Sequence, residues 1–416
     1  MNLFSSRFVK MPVHATEQTG SLTAPSGFSA AGVSCGLKKR GPDLGLLVSR
    51  APCTSAWLGT TNAAAAAPVR HCRAKTGSDA IQGVVANSGS ANACTGGRGL
   101  AAAELMGVTA AELCGIAPAS MAVASTGVIG AQLEMSLISS GISAAAASLS
   151  ESGGPAFAKA IKTTDRIDKE GAVLVKLPEG EVRIGACAKG AGMIAPAMAT
   201  MLAFVTTDAG CPPELLEEIL SQAAAESFNC ISVDGDMSTN DCVFLLANGQ
   251  SGVHLQQGSQ GAALFAEGVA AVCKALALKM VADGEGATKV IEFRVAGAAT
   301  PEEADLVARS VARSTLVRTA FYGRDANWGR VMATAGAALA SASASELAAD
   351  IYYEDACLAR AGEASADPVG RERLDEIMSR TELSAVIDLH RGAAEKTVYF
   401  SDLTHDYVTL NAEYRT

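Results

Sequence analysis

The sequence predicts a mixed α/β (α+β) protein, and three observations carry that expectation. Short apolar runs bounded by Gly, Pro and Asn alternate along the chain with stretches of helical periodicity. Apolar residues make up 49% of the chain and charged residues only 18%, the balance of a globular protein rather than a disordered one. Aromatics are scarce at 5% while Gly alone numbers 41, which suits close-packed helices and tight turns. A length of 416 residues leaves ample chain to bury a core and suggests roughly two or three domains.

Taken in order, Asp43 to Ser49 and Ile81 to Ala86 read as short buried strands. Ala101 to Cys114 reads as a helix stopped by Gly115. Ser139 to Leu149 is helical by its alanine content. Ala172 to Leu177 and Val182 to Ala188 read as two strands joined by the turn Pro178-Glu179-Gly180. The run from Thr200 to Thr207 (TMLAFVTT) reads as a strand that Thr200 starts. In Pro212 to Phe228, Leu215, Leu216, Ile219, Leu220, Ala223 and Ala224 share one helical face. Val243 to Ala247 reads as a strand. Gly261 to Val281 reads as a long helix with Lys274 and Lys279 on its outer side, and Ala337 to Ala348 as a further Ala-rich helix.

Several function classes drop out. A formal charge of −10 argues against nucleic acid as a partner, because phosphate binding needs clustered Lys and Arg. Eleven cysteines, an odd number without a CxxC pair, fit reduced thiols in a cytoplasmic protein better than a disulfide framework. There is no HExxH and no Cys/His cluster, so a metal is not expected. No uncharged apolar run of about 18 residues reads as a membrane span. The first dozen residues carry Arg7 and Lys10 without an acid, which fits a short transit peptide or a ragged terminus equally.

The most telling tract is KGAGMIAPAMATMLAFVTTDAG, Lys189 to Gly210. It sets Thr200 among small residues ahead of an apolar strand. A threonine hydroxyl is a poor nucleophile until something takes its proton. Cleavage of the Ala199–Thr200 bond would give Thr200 an α-amine with an ordinary pKa of about 7.7–8.0, a few bonds from its own hydroxyl. The same hydroxyl attacking the Ala199 carbonyl would perform that cleavage. On the residues alone, a Gly/Ala turn entering a buried strand is the better account of this tract.

Lys189 to Leu202 resembles the self-cleavage segment of the ornithine acetyltransferase (glutamate N-acetyltransferase) family of arginine biosynthesis. ANSGSANACTG (Ala86–Gly96), STGVIG (Ser125–Gly130), VDGDMSTND (Val233–Asp241), DGEGATK (Asp283–Lys289), FYGRDANWGR (Phe321–Arg330) and NAEYRT (Asn411–Thr416) resemble further family motifs in family order, over nearly the whole chain. Met237 and Cys242 stand where the family more often has hydroxyl residues, and the stretch after Asp165 departs from the commoner form.

The resemblance implies a four-layer αββα sandwich, similar to N-terminal-nucleophile enzymes but with its own topology. It implies cleavage into an N-terminal fragment, 1–199, and a C-terminal fragment, 200–416, with two copies of each in the mature enzyme. It implies acetyl transfer from N-acetyl-L-ornithine to L-glutamate through an acetylated Thr200, with Thr126 and Gly127 as the oxyanion pair. Lys189, Glu285, Asn411, Thr416 and one or both of Thr163 and Thr164 match substrate-binding positions. No resident cofactor is implied. Some relatives also accept acetyl-CoA as donor, a point no residue here decides; the Gly96–Gly99 cluster is weak evidence for it. Asp234, Asp236 and Asp241 lack EF-hand spacing and read as hydrogen-bonding groups that support the site. A self-processing N-terminal-threonine amidohydrolase or aminopeptidase, which would pass the acyl group to water, is the alternative within the same chemistry. A scaffold protein that keeps Thr200 as a strand residue is the alternative outside it.

Overall fold

Strands buried on both faces read as continuous apolar runs, and such runs form the centre of this molecule. A computed structural model describes residues 2–75, 80–195, 201–340 and 347–413. The first of three sheets takes its strands in the order Ala15–Gln18, Lys169–Leu177, Gly180–Lys189, Leu202–Thr207, Cys242–Ala247 and Thr54–Gly59. The second runs Phe28–Val33, Leu44–Ser49, Gly83–Ser90, Met121–Val128.

Period-2 geometry divides the strand Leu202–Thr207 between two cores. Leu202 and Phe204 join Phe28, Leu47, Val84 and Ala122 between the two sheets. Ala203 and Val205 point the other way, into a core built with helices Pro213–Ala225 and Gln260–Ala282. The opposite face of the second sheet is covered by helices Gly96–Cys114 and Met135–Ala147. Helix, sheet, sheet, helix is the αββα order the resemblance implied. Phe204 is the pin of the inter-sheet core, its ring stacked 5.7 Å from Phe244 and edge-on 5.0 Å from Phe157.

A third, seven-stranded sheet was not legible beforehand. Its central strand Val290–Ala298 lies between Glu382–Asp388 and Ala394–Ser401. One face packs under helices Pro301–Arg313, Thr315–Tyr322 and Trp328–Leu339. Val290 and Tyr399, on the other face, reach the core around Gln260–Ala282. That helix is therefore largely covered by sheets, with Gln260, Ala263 and Glu267 left exposed along its first half. Lys279 is buried, which corrects its outward placement read from the sequence, while Lys274 is half-buried with its ammonium 5.2 Å from the Tyr399 ring centroid. By length and composition the helix could cross a membrane, yet it is a core helix here.

Other boundaries shift for local reasons. The helix ending at Cys114 begins at Gly96, so the Gly96–Gly99 cluster is its first turn rather than a free cradle. Gly115 stops it in the left-handed conformation, at φ +68°. Gly180 is the first residue of its strand and pairs with Leu177, so the hairpin turn is Pro178-Glu179 alone. The Ala-rich helix runs Trp328–Leu339, and Leu347 and Ala348 are not helical; positions 341–346 lie outside the described residues. The N-terminal stretch is not ragged. Leu3 and Val9 are core residues and Arg7 pairs with Glu354 at 2.6 Å.

Candidate active site

The segment that the resemblance assigns to the oxyanion, Thr126–Gly127, sits at the end of the strand Met121–Val128, which pairs in parallel with Gly83–Ser90. Gly127 lies opposite Gly89, just before an irregularity at Ser90. Its φ is +134°, and a Cβ there would lie 2.4 Å from the Gly89 carbonyl carbon and 2.6 Å from the Ser90 nitrogen. Only glycine fits, on both backbone and steric grounds. The peptides around it are pinned: Asn240 Nδ2 donates to the carbonyls of Ala91 (2.6 Å) and Ser125 (2.8 Å), and Ser125 Oγ donates to Asn87 Oδ1 (2.6 Å). Held in this way, donors on Thr126 and Gly127 need no reorganisation when charge develops on a substrate oxygen.

Thr126, Gly127 and Lys189 line one cavity of about 380 Å³. Lys189 ends the strand Gly180–Lys189, is fully buried, and donates from Nζ to Thr126 Oγ1 at 3.2 Å. Burial pushes its pKa below the usual lysine range, with Asp165 pulling the other way. Asp165 is itself held well below the usual carboxylate range despite its burial, by the ammonium groups of Lys169 and Lys189. Its carboxylate takes Lys169 Nζ at 2.7 Å, the Gly190 amide at 2.7 Å and the Thr163 amide at 3.1 Å, tying the 163–165 stretch to the end of the Lys189 strand.

Both Thr163 and Thr164 line the cavity, so both remain candidates for substrate contact. Glu285 lines it from the loop after Gln260–Ala282; its amide donates to the Ala191 carbonyl at 2.7 Å. Helix His405–Glu413 folds back over this wall, and Asn411 Nδ2 donates to Glu285 Oε2 at 2.9 Å. The structure thus brings Thr126, Gly127, Thr163, Thr164, Lys189, Glu285 and Asn411 around one cavity. Ala199, Thr200 and Thr416 lie outside the described residues.

The chain on either side of position 200 is held by two aspartates. Asp234 accepts the amides of Met193 (2.5 Å) and Ile194 (2.8 Å), and burial raises its pKa to about 6. Asp241 is fully buried beside the strand start, and its Oδ1 accepts the Met201 amide at 2.7 Å. Burial pushes the Asp241 carboxyl well above the usual carboxylate range, against the pull of the Met201 amide and the Lys189 charge. Asp241→Ala is expected to strand the buried Met201 N–H, costing about 1–3 kcal/mol and slowing any processing at the neighbouring bond. Asp241→Asn keeps an acceptor and is expected to retain most of the stability. Thermal melts and the fragment ratio on a denaturing gel read both outcomes; equal losses in the two variants would contradict this role.

Sequence reasoning missed Tyr407, Ser238 and Thr239 on the cavity wall, as well as the clamp made by Asn240. VDGDMSTND marked the stretch of the last three without assigning roles. Tyr407 lies just before the terminal motif and carried no local signal.

The charges on the described walls are uneven: Lys189 is the cation, opposed by Asp234, Asp236 and Glu285. Such a cavity is suited by charge to an anionic group at Lys189 and a cationic one elsewhere. Because burial lowers the Lys189 pKa, its charge is lost on raising the pH through a value below the ordinary 10.5. The expected result is a KM that climbs on that alkaline limb. Lys189→Met is expected to raise KM about tenfold or more for both substrates, the size of a lost charged hydrogen bond, and to abolish the limb. An unchanged KM would remove Lys189 as a carboxylate partner.

A model of the ArgJ family matches residues 29–416. This chain belongs to the ArgJ family. Among ArgJ relatives, the arginine biosynthesis bifunctional protein of Symbiobacterium thermophilum is 48% identical over 402 residues, covering 95% of this chain and 99% of its own. The crystal structure of the bifunctional protein from Bacillus halodurans is 38% identical, covers 45% of this chain and 97% of that chain, and has a TM-score of 0.41. Ornithine acetyltransferase of Mycobacterium tuberculosis, solved in complex with ornithine, is 32% identical, covers 44% of this chain and 98% of that chain, and has a TM-score of 0.40.

Proposed function

We propose that this ArgJ-family protein moves the acetyl group of N-acetyl-L-ornithine to L-glutamate through an acetyl-threonyl enzyme, in arginine biosynthesis. The observation that carries the proposal is the convergence of Thr126–Gly127, Thr163–Thr164, Lys189, Glu285 and Asn411, from five separated stretches, on one cavity. In the proposed reaction the Thr200 hydroxyl attacks the acetyl carbonyl carbon, and its proton passes to the Thr200 α-amine. The oxyanion rests on Thr126 and Gly127. Collapse breaks the C–N bond, the departing ornithine nitrogen takes the proton, and the acetyl group stays as an ester on Thr200. The α-amine of glutamate then attacks that ester, and the same groups run in reverse. The two substrates share an α-carboxylate, so Lys189 serves both.

The α-amine has to be made first. The Thr200 hydroxyl attacks the Ala199 carbonyl, an N-to-O shift frees the amine, and water hydrolyses the resulting ester to leave fragments 1–199 and 200–416. The fragments would stay together, because the strands Gly180–Lys189 and Leu202–Thr207 are hydrogen-bonded neighbours with Lys189 opposite Leu202. The proposed mature form holds two of each fragment and works in the cytoplasm. It needs no resident cofactor, since nucleophile, base and oxyanion donors all come from the chain. Acetyl-CoA as a second donor is part of the proposal, in keeping with the bifunctional naming of the relatives.

The test is product analysis with N-acetylornithine in the presence and absence of glutamate. N-acetylglutamate formed in step with ornithine supports the proposal. Ornithine and free acetate released at the same rate without glutamate would instead indicate an amidohydrolase.

A further inference from the structure

The two proposed substrates differ at their far ends. N-acetylornithine ends in an ammonium group and glutamate in a second carboxylate. Once Lys189 holds the shared α-carboxylate, the charged groups left on the described walls of the cavity are Asp234, Asp236 and Glu285. These favour the ammonium of the donor. The hydroxyls of Ser238 and Tyr407 can hydrogen-bond a carboxylate there but cannot offset its charge.

A second cavity of about 430 Å³ abuts the first, and Thr164 and Glu285 belong to the walls of both. Its described walls carry one cation, Arg166, together with the carboxylates of Asp283, Glu285 and Asp406. The Arg166 side chain is 59% exposed and touches Asp283 Oδ1 through Nε at 3.3 Å. Asp283 does not consume that charge, because it also takes the buried Lys169 ammonium at 2.5 Å. Asp406, also on the wall, is in the first turn of helix His405–Glu413, where the helix N-terminus offsets a negative charge.

We propose that Arg166 holds the side-chain carboxylate of the acceptor, so that glutamate and N-acetylornithine share the Lys189 end and part company at Thr164 and Glu285. A planar guanidinium that is more than half exposed and meets Asp283 through Nε suits a carboxylate ligand. Its positive charge also steers the donor's ammonium away, toward Asp236. This assignment rests on the acetyl-transfer reading above.

The test compares glutamate with glutamine as acceptor, using the full-length processed protein. Wild type is expected to favour glutamate by tenfold or more in kcat/KM. In Arg166→Gln that preference is expected to collapse to within about threefold, with KM for glutamate raised at least tenfold and KM for N-acetylornithine within twofold. Arg166→Lys is expected to recover most of the preference. A merely structural role would not move the glutamate-to-glutamine ratio. Equal rises in both KM values, or an unchanged ratio, would overturn the assignment. Should Arg166→Gln fail to fold, wild type alone decides: accepting glutamine nearly as well as glutamate would overturn it. Acetyl-enzyme formation on N-acetylornithine is read in the same preparations. Its absence in wild type overturns the parent reading and this one with it, while its presence with an unchanged ratio overturns this one alone.

Discussion

Thr200→Ala is expected to be recovered as a single uncut chain with acetyl transfer reduced roughly 10⁴-fold or more, the scale at which loss of a nucleophile acts in comparable catalytic units. Both effects follow from one missing hydroxyl. Without it nothing attacks the Ala199 carbonyl, and no ester can hold the acetyl group. Stability should change little, since Met201 remains anchored on Asp241 and the strand from Leu202 keeps both of its neighbours. A gel and an acetyl-transfer assay on the purified variant check it. Cleavage that persists in Thr200→Ala would remove the nucleophile from the account.

Gly127→Ala carries the second-largest expected effect. The new Cβ would meet the Gly89 carbonyl carbon at 2.4 Å, so either the strand pair separates or the 127 peptide rotates. Each outcome moves the amide that the oxyanion needs, and loss of one such donor costs about 10²–10³ in kcat. The measurement is kcat beside KM for N-acetylornithine. A fall in kcat with KM little changed is expected, because the donor acts on charge that exists only in the transition state. Full activity in Gly127→Ala would place the oxyanion site elsewhere.

How far the sequence reached can be judged from particular residues. The six apolar positions from Leu215 to Ala224 predicted as one face are the buried face of helix Pro213–Ala225. Their spacing encodes burial directly. The run from Leu202 to Thr207 was legible as a buried strand for the same reason, but no periodicity says that Phe204 joins the core of Phe28 while Val205 joins that of Phe265. The layer order came from motif resemblance. Lys279 was misplaced because a long helix with scattered lysines looks amphipathic until a second sheet covers it. The third sheet escaped notice because Val290–Ala298 pairs with strands about a hundred residues away, and its members carry charges such as Glu292 and Arg294 on one face.

The site divides along similar lines. Lys189, Glu285 and Thr126 sat inside motifs, so chemistry could be attached to them before any geometry was known. Asn240 and Tyr407 act through position. Asn240 spans from its own strand start to carbonyls at Ala91 and Ser125, and only the folded chain brings these together. Arg166 was not singled out beforehand; only the stretch after Asp165 stood out, as a departure from the commoner family form, and that carried no role.

The central claim is that Thr200 is released by cleavage and then carries the acetyl group. Intact mass of the purified protein, before and after brief exposure to N-acetylornithine, tests it most directly. The account predicts two fragments that separate only under denaturing conditions, divided at Ala199/Thr200. It predicts one acetyl group on the C-terminal fragment after exposure, removed again by glutamate. A single unmodified chain under every condition would contradict it.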